Sequence, residues 1–491
     1  RYLMEREKFK SRLGFILISA GCAIGIGNVW RFPYVVGNNG GGCFVLFYIL
    51  FLVILGLPIL TMEFSVGRAS QQSISRSFKA LEKKGQYWHL HGYVGMAGNY
   101  ILMMFYTTVA GWMLRYFFDM AKGDFTNATT ADVQAHFSDM LNVPSEMIFW
   151  TVIVIILGFL VCSLGLQNGV EKISKTMMIA LLIIMVVLAI NSIFLDGSDK
   201  GLYFYLVPDF NRIKEIGLVN VIVAAMNQAF FTLSIGMGSM AIFGSYLGKD
   251  RSLLGESINI VALDTFVAIV SGLIIFPSCF AFGVNPDQGP SLIFVTLPNI
   301  FIQMPGGRIW GSCFFIFMAF AAFSTVIAVF ENIMSSCMDL WGWSRKKTAI
   351  VNTIVIILAS LPCILGFNLL SGFHPLGDGT SVLDLEDFMI SNLILPIGSL
   401  IYTLFCTSKY GWGWDNFMEE ANTGKGLKFP KALRFYISYI LPIIVLYIFV
   451  QGYLDKFDIP VGILIPLILI IGIIYVPIQA WRKNKKLIEK Q

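Results

Sequence analysis

Two short Gly-x-Gly runs stand out among the residues able to do chemistry in this chain of 491 residues. Gly25-Ile26-Gly27 lies in A-G-C-A-I-G-I-G-N-V-W-R-F-P at 20–33, and Gly236-Met237-Gly238 lies in F-F-T-L-S-I-G-M-G-S-M at 230–240. Both sit inside long apolar stretches, beside the polar residues Asn28, Thr232 and Ser234. Each glycine weakens a helix by about 1 kcal/mol relative to alanine, so two close together favour local unwinding. Close helix–helix contact through small residues would explain either run alone. Two runs at matching places in two halves of a membrane protein favour paired breaks. Unwound carbonyls would suit a hard cation, and the N–H groups of a half-helix would suit a carboxylate. Broken backbone at membrane depth persists only around a cavity, so these runs predict a buried site for an amino acid with sodium.

Enzymatic chemistry finds little support. The four histidines, His89, His91, His136 and His374, join no nucleophile–base or metal-ligand pattern. All eight cysteines (22, 43, 162, 279, 313, 337, 363 and 406) fall in or beside apolar stretches without metal or redox spacing. They read as small packing residues. The chain is expected not to be an enzyme.

The elements that must hold the two runs are membrane spans. Hydrophobic residues make up 56% of the chain and charged residues 13%, about half the charged share of a soluble domain. A helix needs about 20 apolar residues to cross the hydrocarbon core. Such stretches are expected at 13–37, 42–66, 93–118, 148–166, 174–195 and 217–243, then at 256–284, 309–340, 348–366, 386–407, 433–454 and 461–481. Basic residues collect in alternate connections: Arg68 to Lys84, Lys172 and Lys175, Lys249 and Arg251, Arg345 to Lys347, and Lys409 to Lys431. Both ends are basic too, from Arg6 to Arg12 and from Arg482 to Lys486. Excess Lys and Arg mark the cytoplasmic side, which puts both ends inside and requires an even number of spans. The net charge of +5 is spread over these short loops and gives no sign of nucleic-acid binding. No cleavable leader is expected before the first span.

Longer motifs carry a family likeness. R-L-G-F-I-L at 12–17, G-N-V-W-R-F-P at 27–33, N-G-G-G at 39–42, E-F-S-V-G-R at 63–68 and G-P-S-L-I-F-V-T-L-P at 289–298 resemble the neurotransmitter:sodium symporter family, in its bacterial amino-acid branch. The resemblance runs from about Arg6 to Trp481. It implies an all-α polytopic membrane protein of about 12 transmembrane helices, arranged as a 5+5 inverted repeat with helices 1 and 6 unwound at mid-membrane. The expected units are a cytoplasmic segment 1–12, a first repeat 13–195, a second repeat 217–408, two peripheral helices at 433–481 and a tail 482–491.

The resemblance also implies ligands. Sodium site 1 would comprise Ala23, Asn28, Thr232 and Asp264, and site 2 Gly21, Ile24, Ala321, Ser324 and Thr325. The amino acid would be held by Cys22, Ala23, Ile26, Gly27, Leu102 and Tyr106 on one side, and by Phe231, Thr232, Ser234, Met237, Thr325 and Val329 on the other. Arg31 and Asp387 would pair as an outer gate, and Arg6 and Asp339 as an inner gate near Tyr246 and Phe9. Glu331, close to the inner gate, would either compete for Arg6 or carry a proton.

Two departures shape the expected activity. Gly25 stands where monoamine transporters carry an aspartate, which favours a zwitterion using its own carboxylate. Asp264 stands where chloride-dependent relatives carry asparagine, and Ala268 replaces a serine of that anion site. The expectation is sodium-coupled symport of a neutral, hydrophobic or aromatic L-amino acid by alternating access. Two Na+ and no chloride would be used, in the plasma membrane of a bacterium. A sodium-conducting channel, or a carrier of another small zwitterion, is the alternative. The lipid bilayer and the substrate are the expected partners; oligomeric state, stoichiometry and proton counter-transport are left open.

Overall fold

The structure, a computed structural model, describes residues 7–284, 292–472 and 482. These residues are helical, with no strand among them and one isolated bridge between Arg251 and Lys425. Arg6, residues 285–291 and most of the C-terminal tail lie outside the described residues.

Nine uninterrupted helices among the described residues are long and apolar enough to cross a bilayer: Gly42–Ser70, Leu90–Lys122, Pro144–Ser163, Leu166–Ile193, Leu253–Ala281, Gly307–Trp341, Arg345–Leu365, Val382–Thr407 and Lys431–Leu454. Two bent pairs raise the number to eleven: Arg12–Ala23 with Gly27–Asn38, at 54°, and Phe210–Ile216 with Leu218–Thr232, at 98°. The shorter helix Ile459–Ile470 falls at the expected twelfth span, whose remainder lies outside the described residues.

Both expected breaks are present. Helix Arg12–Ala23 stops at Ile24, whose backbone is extended, and helix resumes at Gly27. The sixth span runs as Leu218–Thr232, breaks, and restarts as Ser239–Ser245. Within that break Ser234, Gly236 and Gly238 have φ of 49°, 105° and 79°. Left-handed backbone is open to glycine and costly for most other residues, which accounts for the Gly-x-Gly run. Gly236 is also pinned sterically, since a side chain there would run into the Leu395 carbonyl of the tenth span.

Five π-helical turns share one cause. Gly27–Arg31, Leu52–Gly56, Leu292–Thr296, Met389–Ile394 and Tyr436–Ile440 are each followed by a helix with proline at its second position: Pro33, Pro58, Pro298, Pro396 and Pro442. Proline lacks an N–H and crowds the carbonyl four residues earlier. Widening the turn to i→i+5 bonding relieves that crowding. A sixth π turn, Leu166–Glu171, follows Gly165, at φ 93°, and opens the fifth span.

Burial sorts the spans. Gly307–Trp341 is buried along most of its length and packs on the first, third and fifth spans. Lys431–Leu454 instead exposes Phe435, Tyr439, Ile443 and Tyr447. Large apolar side chains such as Leu160, Ile183, Ile350 and Leu358 are exposed on the fourth, fifth and ninth spans. Each would cost about 1.5–3 kcal/mol left in water, so lipid is the solvent that suits this surface.

Candidate functional site

The two breaks meet in the middle of the bundle. Past the end of helix Arg12–Ala23, the Ile26 N–H donates to the Tyr106 hydroxyl of the third span at 2.9 Å. Ser324 and Thr325 of the eighth span face the carbonyls before the break. The Ser324 hydroxyl lies 3.0 Å from the Gly21 oxygen, 3.3 Å from that of Ile24 and 2.8 Å from that of Ala321. The Thr325 hydroxyl lies 3.1 Å from Gly21 O and 3.0 Å from Ile24 O. Three carbonyl and two hydroxyl oxygens thus converge without a carboxylate, a donor set suited to a hard monovalent cation.

A second cluster includes a charge. Asp264 is fully buried and accepts from Asn28 Nδ2 at 2.8 Å and from Thr232 Oγ1 at 3.1 Å. A buried carboxylate is costly unless paired or well hydrogen-bonded. Tyr48 is fully buried, its hydroxyl without a hydrogen-bond partner among the described residues. Gln228 donates to the Gly27 carbonyl at 3.1 Å, while its own Oε1 is buried without a protein partner. Ala268 is buried one helical turn beyond Asp264.

A small, partly open cavity of about 20 Å³ lies beside the two clusters, touching the first at Thr325 and the second at Gly27. Cys22, Ala23, Gly27, Leu102, Tyr106, Phe231, Ser234, Met237 and Thr325 line it. Ile26 adjoins it through its bond to Tyr106 and Thr232 as the chain neighbour of Phe231, whereas Val329 is buried in the eighth span and is not part of its lining. Gly25, Ile390 and Leu395 complete the wall. The last two come from the tenth span, around the π turn Met389–Ile394.

The unwound part of the sixth span is held by side chains that motif reading left without a role. Buried Glu63 accepts from Gly236 N at 2.8 Å and Met240 N at 2.9 Å, and so caps the restarted half-helix. His91 Nε2 meets the Gly236 carbonyl at 2.9 Å, and Asn99 donates to the Met237 carbonyl at 3.0 Å. Charge and hydrogen-bonding capacity in an apolar span were the available signals for all three.

At the expected outer gate the Arg31 guanidinium sits over the Phe231 ring, 4.1 Å from its centroid. Asp387 accepts from Ser391 at 2.9 Å, and among the described residues no direct ion pair joins it to Arg31. At the expected inner gate Asp339 accepts from Ser73 N at 2.8 Å, and Phe9 packs edge-on against Tyr246. Tyr246 donates to Glu331 at 2.6 Å, and Arg345 holds Glu331 at 2.7 and 3.1 Å. Arg345 reaches Glu7 as well, at 3.2 Å. Glu331 therefore has a described cationic partner in Arg345.

Comparison with known proteins fits this geometry. The sodium:neurotransmitter symporter family model matches residues 6–131 and 124–459. The chain belongs to the sodium:neurotransmitter symporter family. It is 32% identical over 446 residues to the uncharacterised sodium-dependent transporter YhdH of Bacillus subtilis, covering 90% of this chain and 97% of that one. A sodium-dependent transporter of Haemophilus influenzae is likewise 32% identical, over 91% of this chain and 98% of its own. The crystal structure of MhsT in complex with L-phenylalanine superposes with a TM-score of 0.82 at 36% identity, covering 91% of this chain and all of MhsT. The protein is thus a sodium-dependent symporter and a multi-pass membrane transporter.

Proposed function

We propose that this symporter carries a neutral, hydrophobic or aromatic L-amino acid together with two sodium ions, without chloride. The crowding at Gly25 carries the reading. A Cβ there would run into the Tyr106 hydroxyl and come within 2.5 Å of Thr325 Oγ1, so no side chain fits to pair with an amine. The negative group that neutralises the substrate's ammonium is then the substrate's own carboxylate.

Tyr106 and the backbone around Ile26 form the polar end of the cavity, while Leu102, Met237, Ile390 and Leu395 form an apolar end without a charged side chain. That division suits a zwitterion with an uncharged side chain. MhsT, crystallised with L-phenylalanine, supports the same substrate class. Gly21, Ile24, Ala321, Ser324 and Thr325 supply one cation site; Ala23, Asn28, Thr232 and Asp264 supply the other.

Asp264 provides a fixed negative charge that makes an added anion unnecessary. Even at about 5 Å unit charges attract by roughly 3 kcal/mol at an effective dielectric near 20, and a carboxylate that ligates the sodium directly lies closer than that. The packing of Arg31 on Phe231 above and the Tyr246–Glu331–Arg345 chain below favour alternating access over an open channel. We place both ends in the cytoplasm of a bacterial inner membrane, with repeats at 13–195 and 217–408 and peripheral helices at 433–481.

Uptake into proteoliposomes under an imposed sodium gradient tests this. Phenylalanine or leucine should accumulate above equilibrium and compete with each other. Equal accumulation in choline medium, or preference for glutamate, lysine or dopamine, would overturn it.

A further inference from the structure

Glu171, at the last position of the π turn that opens the fifth span, is buried and points at the start of the first span. Its carboxylate accepts from Lys10 N at 2.8 Å, Ser11 N at 3.0 Å and Ser11 Oγ at 2.9 Å. Ser11 is the N-cap of helix Arg12–Ala23, and its hydroxyl in turn accepts from Gly14 N at 3.0 Å. Gly14 leaves the room: a Cβ there would lie 2.6 Å from Glu171 Cδ. The contact is reinforced in both directions. Glu7 accepts from Leu166 N at 2.9 Å, and Gln167 donates to the Lys8 carbonyl at 2.9 Å.

The other face of this segment borders a cytoplasm-side cavity of about 310 Å³, lined by Lys8, Lys10, Ser11, Tyr246 and Leu247 among others. Residues 8–11 are therefore a wall between that cavity and Glu171. The helix they begin is 12 residues long, about 18 Å at 1.5 Å per residue. It ends at the Gly21 and Ile24 carbonyls that face Ser324 and Thr325. One rigid rod thus has a carboxylate at its first turn and the cation-binding carbonyls at its last.

We infer that Glu171 is a positioning residue for the inner half of the first span. Its carboxylate latches the N-terminus of that half-helix to the fifth span, and opening toward the cytoplasm requires the latch to release. The inference rests on the reading of Gly21 and Ile24 as cation ligands. A carboxylate at a helix N-terminus is favoured by both its hydrogen bonds and the helix dipole. Gln keeps the shape but loses the charge.

The test is the rate at which an impermeant maleimide labels Leu247→Cys in nanodisc-embedded protein, with the labelling of the native cysteines subtracted. Added to that parent, Glu171→Gln should raise the rate in saturating sodium by about threefold or more, a modest population shift. The same variant should raise the sodium needed for half-protection by a similar factor. Gly14→Ala, which displaces Glu171 without changing its charge, should do the same, and Glu171→Asp should fall between. A merely structural role would lower yield without changing the sodium response. If Glu171→Gln is not recovered folded, Gly14→Ala decides alone. Labelling at the parent rate in the folded variants overturns the latch. A parent whose labelling ignores sodium would instead refute the cation reading, while the ratio of variant to parent in one buffer would still report the latch.

Discussion

The Tyr106 hydroxyl occupies the space that the first side-chain carbon of any residue but glycine would need at position 25. One tyrosine thereby does two things: it holds the Ile26 N–H at the break and forbids a counter-ion on the first span. Gly25→Ala should abolish uptake while the protein still inserts and purifies as a monodisperse species. Gly25→Asp should not confer transport of a monoamine. Substrate binding to Gly25→Ala within about threefold of the parent, a difference of about 0.7 kcal/mol, would contradict this crowding.

Loss of one oxygen should be felt in sodium dependence before substrate selectivity. Asn28→Ala and Ser324→Ala should each weaken sodium by about 1–3 kcal/mol, by analogy with a removed hydrogen-bond partner. The half-maximal sodium concentration would then rise roughly 5- to 150-fold. Sodium titration of uptake at fixed substrate measures it, and unchanged curves for both variants would remove these residues from the cation sites.

Met237 lines the apolar end of the cavity, and methionine repacks around different shapes because its side chain is unbranched and flexible. Met237→Phe should therefore weaken tyrosine and tryptophan more than leucine. Competition against labelled leucine reads the ratio directly. A uniform loss for all substrates would assign Met237 to packing instead.

The proposed chloride independence turns on Asp264. The double variant Asp264→Asn with Ala268→Ser should lose uptake in gluconate medium and regain it when chloride is added. Tyr48, Gln228 and Thr232 would remain to surround the anion, with the Gln228 amide turning its Nε2 from the Gly27 carbonyl towards the chloride, since Oε1 can only accept. A parent protein that itself needs chloride would defeat the charge-compensation argument.

Glu63 should matter for stability as well as transport. Glu63→Ala leaves the buried Gly236 and Met240 N–H groups without their acceptor, at about 1–3 kcal/mol each. The melting temperature should fall and uptake should be lost. Glu63→Gln, retaining one acceptor oxygen, should be milder on both counts. An unaltered melting temperature for Glu63→Ala would show that water replaces the carboxylate freely.

The spans and both breaks were legible because they depend on local properties: apolar length and Gly-x-Gly runs. Side chains that act across long separations were not. Glu63 lies inside a recognised motif, yet its partners are more than 170 positions away. Arg345 looked like a topological charge in a cytoplasmic loop, but it closes on Glu331 at the end of a buried chain. Ile390 and Leu395 escaped notice because a π turn changes which side of a helix faces inward, and nothing in apolar periodicity records that shift. The expected Arg31–Asp387 contact shows the same limit, since Arg31 stacks on Phe231 here.

The π turn Met389–Ile394 holds one residue more than an α-helical turn of the same span would, and that surplus has a hereditary consequence. Each helical residue advances the face by about 100°. Deleting one position from the turn would swing Ile390 out of the cavity wall while leaving Pro396 and the inner half of the span in place. Replacing Pro396, which fixes the turn in place, would let the surplus shift and present a different side chain to the cavity. In a lineage of such symporters, the lining of the cavity can therefore diversify by loss or gain of one residue in this turn as well as by point mutation. Alignments that treat the tenth span as a continuous α-helix will assign the wrong residue to the wall.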